Sequence, residues 1–144
     1  MLFRSGSVCV WQGQFLLCRR AIEPRRGFWT IPAGFLELEE STAEGAAREA
    51  LEEACAKIEI EALLAVYDIP RISQVQIFYA ARLASPDIAP GVESLETRLM
   101  EWAEIPWDDL AFPSVQWALD DYQEYRGNDS YTVRGNPDNR PRTP

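Results

Sequence analysis

Two apolar, β-rich runs lie on either side of Gln12-Gly13 in the segment SVCVWQGQFLLCRR. Such a pair of runs around a two-residue turn is typical of a β-hairpin, which the pattern places from about Ser7 to Arg19. The next segment, AIEPRRGFWTIPAGF, contains two prolines and two glycines. Because these residues interrupt regular structure, the segment is predicted to be a loop, and its length favours a functional one.

A helix is predicted to start at Ser41 and to run to about Ala54. Ser41 and Glu44 have the spacing of a capping box, and Glu44 and Arg48 have the i, i+4 spacing of a favourable ion pair. The apolar residues expected on the core side are Ala43, Ala47, Ala50, Leu51 and Ala54. Three carboxylates, from Glu49, Glu52 and Glu53, fall within an arc of about 100° and are expected on the opposite side.

The rest of the chain predicts three further strands and a second helix. Strand patterns occupy residues 57–69, 73–84 and 97–105, with a turn near Pro70-Arg71 and a loop over 85–96. A second helix is predicted over 113–125. The order of elements indicates an α+β fold, in which helices cover a mixed β-sheet. Residues 1–125 are expected to form one domain, and the polar, turn-forming residues 126–144 a disordered tail.

Charge and composition restrict the classes of partner. The chain of 144 residues has a formal net charge of −9, which would repel nucleic acids and anionic membranes. No apolar run approaches the roughly 20 residues that span a bilayer, and the first ten residues lack the features of a signal peptide. We therefore expect a cytoplasmic protein that binds neither nucleic acid nor membrane.

The available reactive side chains are also restricted. The chain has no histidine, which excludes histidine-based nucleophile systems and histidine-ligated zinc. Its three cysteines, Cys9, Cys18 and Cys55, are widely spaced among apolar neighbours, so we expect buried thiols and neither a disulfide framework nor a zinc site. Carboxylates and arginines must then carry any chemistry.

The glutamates of the first helix allow two interpretations. They form either an acidic face in contact with water or a set of oxygen ligands for a hard cation such as Mg²⁺ or Mn²⁺. The residues around them favour the second, because Gly34, Glu40 and the run Arg48-Glu49-x-x-Glu52-Glu53 resemble the signature of the Nudix hydrolases. The resemblance extends from about residue 5 to 125. It implies the Nudix fold, in which a mixed β-sheet is sandwiched between helices (α/β/α).

The resemblance also implies roles for the residues that match the signature. Glu49, Glu52 and Glu53 would bind the metal, Glu40 would bind it through water or order the loop, and Arg48 would orient the glutamates. The implied reaction is attack of water on a diphosphate phosphorus, assisted by Mg²⁺ or Mn²⁺. Without histidine, the general base is expected to be a glutamate. The candidates are Glu52, Glu53, Glu93 and Glu96, with Glu96 preferred to Glu93.

One departure from the family pattern concerns the end of the helix. Cys55 stands where relatives usually have glycine, which suits the left-handed conformation of a helix cap. Because cysteine suits that conformation poorly, we expect the helix to run slightly longer here.

Arginines and aromatic residues around the loop are candidates for substrate binding. Four arginines lie within eight residues, and guanidinium groups bind phosphate in a bidentate manner. We expect Arg19, Arg20 and Arg25 to bind substrate, and Trp29 to stack on a base or flavin. Tyr67 and Phe78 have the same option, although packing in the core is the better interpretation of the aromatic side chains.

Segments outside the signature resemble one branch of the family. The segments LLCRRAIEPRRGFWTIPAGF, EEACAKIEI and EIPWDDLAFPSV look like the branch associated with ADP-ribose, NADH and FAD pyrophosphatase activity. Members often carry a four-cysteine zinc ribbon before the Nudix domain. This chain begins where that ribbon would end, so it is expected to be a ribbonless or truncated member. AMP would be one product, and a homodimer is among the assemblies that relatives form.

Two alternatives to this substrate class stay open. The same signature occurs in house-cleaning nucleoside triphosphate pyrophosphatases, and specificity depends on loops outside it. A non-catalytic Nudix module that binds a nucleotide is a different class of protein, and the complete set of glutamates argues against it.

Overall fold

The computed structural model describes residues 1–126 and 128–137. Its strands and α-helices follow one another as β1 (Leu2–Trp11), β2 (Gln14–Arg20), β3 (Trp29–Thr30), β4 (Ala33–Phe35), α1 (Thr42–Ala54), β5 (Ile58–Ile69), β6 (Gln74–Leu83), β7 (Ser94–Met100) and α2 (Pro113–Tyr125). Short 3₁₀ helices cover Pro70–Ile72, Trp102–Glu104 and Trp107–Asp109.

The strands form one mixed sheet. The predicted hairpin is present, and its turn residues Gln12 and Gly13 both have positive φ, of 45° and 81°, which matches the right-handed twist of the strands. β1 pairs in parallel with β6 and antiparallel with β4, while β5 pairs with β6. β2 pairs with β3 and β7. The expected mixed sheet is therefore confirmed.

The two helices cover opposite faces of the sheet. α2 packs on the face that carries large side chains, among them Phe15, Tyr67 and Phe78. α1 packs on the other face through small residues, with Ala50 and Ala54 against Cys9, Leu16 and their neighbours. The α/β/α arrangement follows from these two cores, and Tyr67 and Phe78 belong to one of them, as expected.

α1 meets the sheet through a different side from the one predicted. Its buried residues are Gly45, Ala46, Glu49, Ala50 and Ala54, whereas Leu51 is 51% exposed. Small residues allow the helix to approach the sheet closely. A Cβ atom on Gly45 would lie 2.7 Å from the Oγ atom of Ser5 in β1. This close approach turns Glu49 towards the sheet, so the prediction that all three glutamates face away from the core was wrong.

The C-terminal end of α1 also differs from the prediction. The helix ends at Ala54, and Cys55 adopts the left-handed conformation with φ 52° and ψ 29°. The expected extension of the helix is therefore wrong. The reason is that Ala56 is buried and β5 begins at Ile58, so the chain must turn at once. Cys55 is exposed, whereas Cys9 and Cys18 are buried as expected.

Two regions predicted to be irregular contain ordered pairing. The loop between β2 and α1 includes β3 and β4, which are fixed by pairing with β2 and β1. After α2 the chain returns to β5, where the N–H of Val66 donates to the carbonyl of Arg134 at 2.9 Å. The Tyr131 hydroxyl donates to the carbonyl of Leu64. Residues 128–137 therefore differ from the expected disordered tail. Residues 127 and 138–144 of that predicted tail lie outside the described part.

In the described residues, no helix is long and apolar enough to cross a membrane.

Candidate active site

A cleft of about 1080 Å³ runs across the sheet beside both helices. One end is formed by α1 and β4, which contribute Glu49, Glu52, Glu53 and Gly34. The other end lies near α2 and the turn between β5 and β6, where Trp117 and Pro70 form part of the wall. The end at α1 thus carries a cluster of glutamates, whereas the end at α2 combines apolar and amide side chains with Asp68 and Arg71.

Arg48 is the centre of the hydrogen bonds at the acidic end. Its guanidinium binds Glu40 in a bidentate manner, with Nε–Oε2 and Nη2–Oε1 distances of 2.7 and 3.0 Å. Nη1 also donates to Glu49 at 2.8 Å and to Glu52 at 3.1 Å. Glu44, the ion-pair partner predicted from spacing, is engaged instead in the capping box with Ser41. Arg48 therefore gathers three signature glutamates around one positive charge.

Glu53 and Glu49 are held by the loop that contains β4. The N–H of Ala33 donates to Oε2 of Glu53 at 2.9 Å. A Cβ atom on Gly34 would lie 2.2 Å from the Oε1 atom of Glu49. A larger residue at this position would therefore displace the carboxylate of Glu49 from its present place.

The environment of these carboxylates alters their acidity. Burial raises the pKa of Glu53 to about 8, and the nearby charge of Glu49 adds to this effect. Burial likewise raises the pKa of Glu49. Hydrogen bonds from Arg48 lower the pKa of Glu40. When both are ionised, these two buried carboxylates repel each other, and a bound cation would relieve that repulsion.

The residues fit a divalent cation in their chemistry, though not in their present arrangement. No three His, Cys, Asp or Glu side chains among the described residues are placed to hold an ion as they stand. The reason is that Arg48 draws Glu40, Glu49 and Glu52 towards itself. Glu49 and Glu52 each use one oxygen on Arg48, which leaves the other oxygen for a cation. Oxygen donors and a buried excess of negative charge are what Mg²⁺ or Mn²⁺ requires. Glu40 lies outside the cleft lining, with both its oxygens on Arg48, and one of them also accepts from the N–H of Glu37.

The structure brings Arg20 and Glu93 to the cleft, but not the other predicted residues outside the signature. Side chains alternate along β2, so Arg19 points away from the face that carries Arg20. Trp29 and Glu96 are the register partners of Arg19, and neither of them lines the cleft. The preference for Glu96 over Glu93 therefore does not match the geometry.

Arg25 is engaged elsewhere. Its Nε donates to the carbonyl of Ala111 at 3.1 Å, and its guanidinium lies over the ring of Phe28 at 3.8 Å from the centroid. Trp29 packs against the larger core. Arg20 keeps a place beside the cleft, with its guanidinium 5.1 Å from the centroid of the Phe112 ring.

Several cleft residues escaped the sequence analysis. They come from three elements and from the C-terminal segment, namely Arg4, Gln74, Gln76, Phe112, Trp117 and Asn136. Arg4 could have been found from the sequence. It lies four residues before Val8 in β1, so both side chains are on the same face, and Val8 is a core residue. A charged side chain on an otherwise apolar strand face indicates a functional site. The others are brought to the cleft only by long-range packing.

Comparisons with known proteins agree with this architecture. The profile described as NUDIX domain matches residues 1–124 of the chain. A NUDIX hydrolase structure from Nitrosomonas europaea is 45% identical, with a TM-score of 0.86, over 94% of this chain and 79% of that one. A "MutT-like protein" from Streptomyces ambofaciens is 40% identical over 63 residues, which cover 44% of this chain and 39% of that protein. The matched segment thus spans about two fifths of that relative.

A more distant structure shares the fold. It is a bifunctional NMN adenylyltransferase/ADP ribose pyrophosphatase from Francisella tularensis, complexed with AMP and a Mn ion. The identity is 18% and the TM-score 0.68, over 85% of this chain and 41% of that one. The matched profile, the similar structures and the glutamates gathered around Arg48 lead to one conclusion. The chain belongs to the Nudix family of hydrolases, enzymes that act on pyrophosphate bonds.

Proposed function

We propose that the chain hydrolyses a nucleoside diphosphate linked to a second group, with ADP-ribose, FAD or NADH as the substrate. The products are AMP and a phosphorylated partner. The observation that carries the proposal is the size of the cleft, whose lining includes the carboxylates as well as Trp117 and Asn136. A volume of about 1080 Å³ has room for a nucleoside on one side of the diphosphate and a second group on the other.

The acidic end of the cleft is the proposed site of bond cleavage. Glu49, Glu52 and Glu53 would hold Mg²⁺ or Mn²⁺, with Arg48 keeping their carboxylates in place. Once bound, a divalent cation neutralises charge that develops on the phosphoryl oxygens and lowers the pKa of a nearby water. The name of the Francisella tularensis relative supports both ADP-ribose and manganese.

The remaining roles belong to side chains at the wall. Of the arginines predicted to bind substrate, we propose Arg20 for a substrate phosphate, because it lines the cleft close to Glu53 and Glu93. We propose Glu52, Glu53 or Glu93 as the base that takes the proton of the attacking water, since each of them lines the cleft. The expected cytoplasmic location and a homodimer stay predictions.

A product-release assay tests the proposal. ADP-ribose, FAD, NADH and a nucleoside triphosphate would be incubated in parallel with Mg²⁺ or Mn²⁺, and AMP or pyrophosphate would be measured. The variants are Glu52→Gln, in the proposed metal site, and Glu59→Gln, in an exposed ion pair with Arg82. We expect AMP from a dinucleotide with the native protein and with Glu59→Gln, and a loss of at least about 100-fold with Glu52→Gln.

Other outcomes would redirect the assignment. Pyrophosphate release from the triphosphate, without cleavage of the dinucleotides, would identify a house-cleaning pyrophosphatase. If every substrate survives while a nucleotide still binds, the chain is a binding module, and the proposal fails.

A further inference from the structure

Two polar side chains lie next to each other on the floor of the cleft. β1 and β6 pair in parallel, and their register sets Arg4 beside Gln76. Both side chains line the cleft. Farther along the same face, Val8 and Phe78 belong to the apolar core, so the polar pair lies where the hydrophobic surface ends.

The side-chain amide of Gln76 has a hydrogen-bond partner for its nitrogen but none for its oxygen among the described residues. Its Nε2 donates to the side-chain oxygen of Gln74 at 3.1 Å, which orients the group. Gln76 is 8% exposed, and its Oε1 atom is buried without a hydrogen-bond partner among residues 1–126 and 128–137. Gln76 thus lines the cleft with an amide whose oxygen is buried and unpaired.

Arg4 is fixed in a similar way. Its Nη2 donates to the carbonyl of Ala33 at 3.3 Å, and its guanidinium lies 5.1 Å from the centroid of the Phe35 ring. Its Nε atom is buried and has no hydrogen-bond partner within the described part of the chain. An unpaired donor thus lies on the strand next to the unpaired acceptor.

A buried polar group without a hydrogen-bond partner destabilises the folded protein, so a neighbouring pair of such groups beside a cleft indicates a ligand that completes both. We infer that Gln76 and Arg4 form a hydrogen-bonding edge that binds the nucleobase of the substrate, an inference that rests on the proposed nucleotide substrate. The edges of nucleobases carry an N–H donor next to a ring nitrogen or carbonyl acceptor. Trp117 and Phe112 provide apolar walls for a flat ring.

A phosphate group would not complete this pair. Phosphate oxygens at neutral pH are acceptors, so they would satisfy Nε of Arg4 and leave Oε1 of Gln76 unpaired beside a negative charge. The phosphates are better accommodated near Arg20, and the base on the floor between Gln76 and Arg4.

Binding measurements with nucleotide fragments test the inference separately from hydrolysis. AMP, GMP, CMP, UMP and ribose 5-phosphate would be titrated calorimetrically with Mg²⁺ present. The proteins are the native chain, Gln76→Met, Arg4→Met and the control Gln116→Met, which changes an exposed glutamine of α2 outside the cleft lining. Met approximates the length of Gln and Arg without their hydrogen-bonding groups.

We expect at least one nucleoside monophosphate to bind the native protein about 10-fold or more tightly than ribose 5-phosphate. Gln76→Met and Arg4→Met should each reduce that preference by about 5- to 100-fold, with ribose 5-phosphate and the Gln116→Met control unaffected. Equal binding of nucleotides and ribose 5-phosphate by the native protein would overturn the inference. So would a preference that survives in Gln76→Met, or an Arg4→Met variant that loses ribose 5-phosphate as strongly as nucleotides.

The two proposals fail in different ways. If the protein hydrolyses no substrate but still prefers nucleotides to ribose 5-phosphate, the proposed reaction is wrong and the base-binding edge is supported. If the protein hydrolyses a dinucleotide but Gln76→Met does not change that preference, the base-binding edge is wrong and the proposed reaction is supported.

Discussion

Arg48 supplies part of the positive charge that balances the glutamates around it. It is bound to Glu40, Glu49 and Glu52 at once, and the Nη2 atom also donates to the carbonyl of Phe35. These contacts raise the pKa of Arg48 above its ordinary value, chiefly through Glu40. A lysine could not make the same set of bonds, because it lacks the planar fork.

Replacement of Arg48 should therefore weaken metal binding, because we propose that Arg48 orients the glutamates and does not itself contact the substrate. We expect Arg48→Ala to lower metal affinity or kcat by about 10- to 100-fold, the usual effect of losing a residue that orients metal ligands. Metal titrations followed by activity and by calorimetry would measure it. The control is Arg82→Ala, which removes an exposed ion pair with Glu59 and should have little effect. Equal losses in both variants would contradict the role of Arg48.

Gly34 makes a second prediction at this scale. Its substitution by Ala would place a methyl group on the carboxylate of Glu49 and displace it. We expect Gly34→Ala to lower activity at least 10-fold but to change the free energy of unfolding by less than about 1 kcal/mol, because the displaced group is the end of a flexible side chain. Gly135→Ala is the matched control, since its added Cβ would lie 3.9 Å from the nearest atom, the carbonyl oxygen of Val66. Denaturant unfolding and kinetics would compare the two, and normal activity in Gly34→Ala would refute the argument.

Burial of Glu53 makes the stability of the metal-free protein depend on pH. The pKa of this carboxyl rises from an ordinary value of 4.5 to about 8 on folding, so the folded state holds the proton more tightly than the unfolded state. The contribution of Glu53 is therefore fully present below about pH 4.5 and is lost as the pH rises to about 8.

Glu53→Gln should remove that dependence. In EDTA at pH 8, we expect the variant to be more stable than the native protein by about 1–3 kcal/mol, with a smaller difference at pH 5. Denaturant unfolding at the two pH values measures this, with Glu59→Gln as the exposed control. An unchanged pH profile in Glu53→Gln would show that the buried charge has no cost.

Among the elements, α1 carries both functional and conformational constraints. Its N-terminus has the complete capping box of Ser41 and Glu44, whereas its C-terminus has a left-handed residue with a side chain. The left-handed conformation costs a non-glycine residue about 1 kcal/mol. Cys55 bears that cost because the chain must turn directly into β5.

Cys55→Gly should therefore stabilise the protein. We expect a gain of about 0.5–1 kcal/mol in the free energy of unfolding, less the extra freedom of glycine in the unfolded chain. Cys55→Ala is the control, because it removes the thiol and keeps the strained conformation. If both variants change stability equally, the effect comes from the thiol and not from the backbone.

Local patterns predicted those elements that local interactions determine. The hairpin at Gln12-Gly13, the start of α1 at Ser41 and the bounds of α2 all depend on residues within a few positions of each other. β3 and β4 were not predicted, because two- and three-residue strands exist only through pairing with distant strands. The side of α1 that meets the sheet also depends on tertiary packing, which favoured small residues over Leu51.

The site divides in the same way. Glu49, Glu52 and Glu53 follow from helical spacing, and their common position beside the cleft matches that spacing. Arg19 and Arg20 could not be separated without the phase of β2, which decides the face that each arginine occupies. Gln76 reaches the cleft through the parallel pairing of β1 and β6, and no short-range pattern in the sequence encodes that pairing.

At the scale of the whole molecule, the C-terminal segment joins the cleft to the far edge of the sheet. The Nδ2 atom of Asn136 donates to the carbonyl of Asp68, while its Oδ1 accepts from the N–H of the same residue, both at 2.8 Å. Asn136 and Asp68 both line the cleft. The segment thus contributes to the site as well as to stability.

Removal of residues 128–144 should separate these contributions from those of the remaining domain. We expect a raised KM, by a few-fold, and a free energy of unfolding lower by about 1–3 kcal/mol, since the Tyr131 and Arg134 contacts with β5 are lost. The matched control is removal of residues 138–144 alone, which keeps every contact described above. Indistinguishable behaviour of the two truncated chains would show that the segment is dispensable.

The pairing of Arg134 with Ala65 has one more consequence. β5 is the last strand of the sheet on its side, and an uncovered last strand offers free N–H and C=O groups to any other extended chain. By occupying part of that strand, the segment withholds a template on which a second molecule could add by β-augmentation. We therefore expect the segment that contributes Asn136 to the cleft also to limit edge-to-edge association at this part of β5.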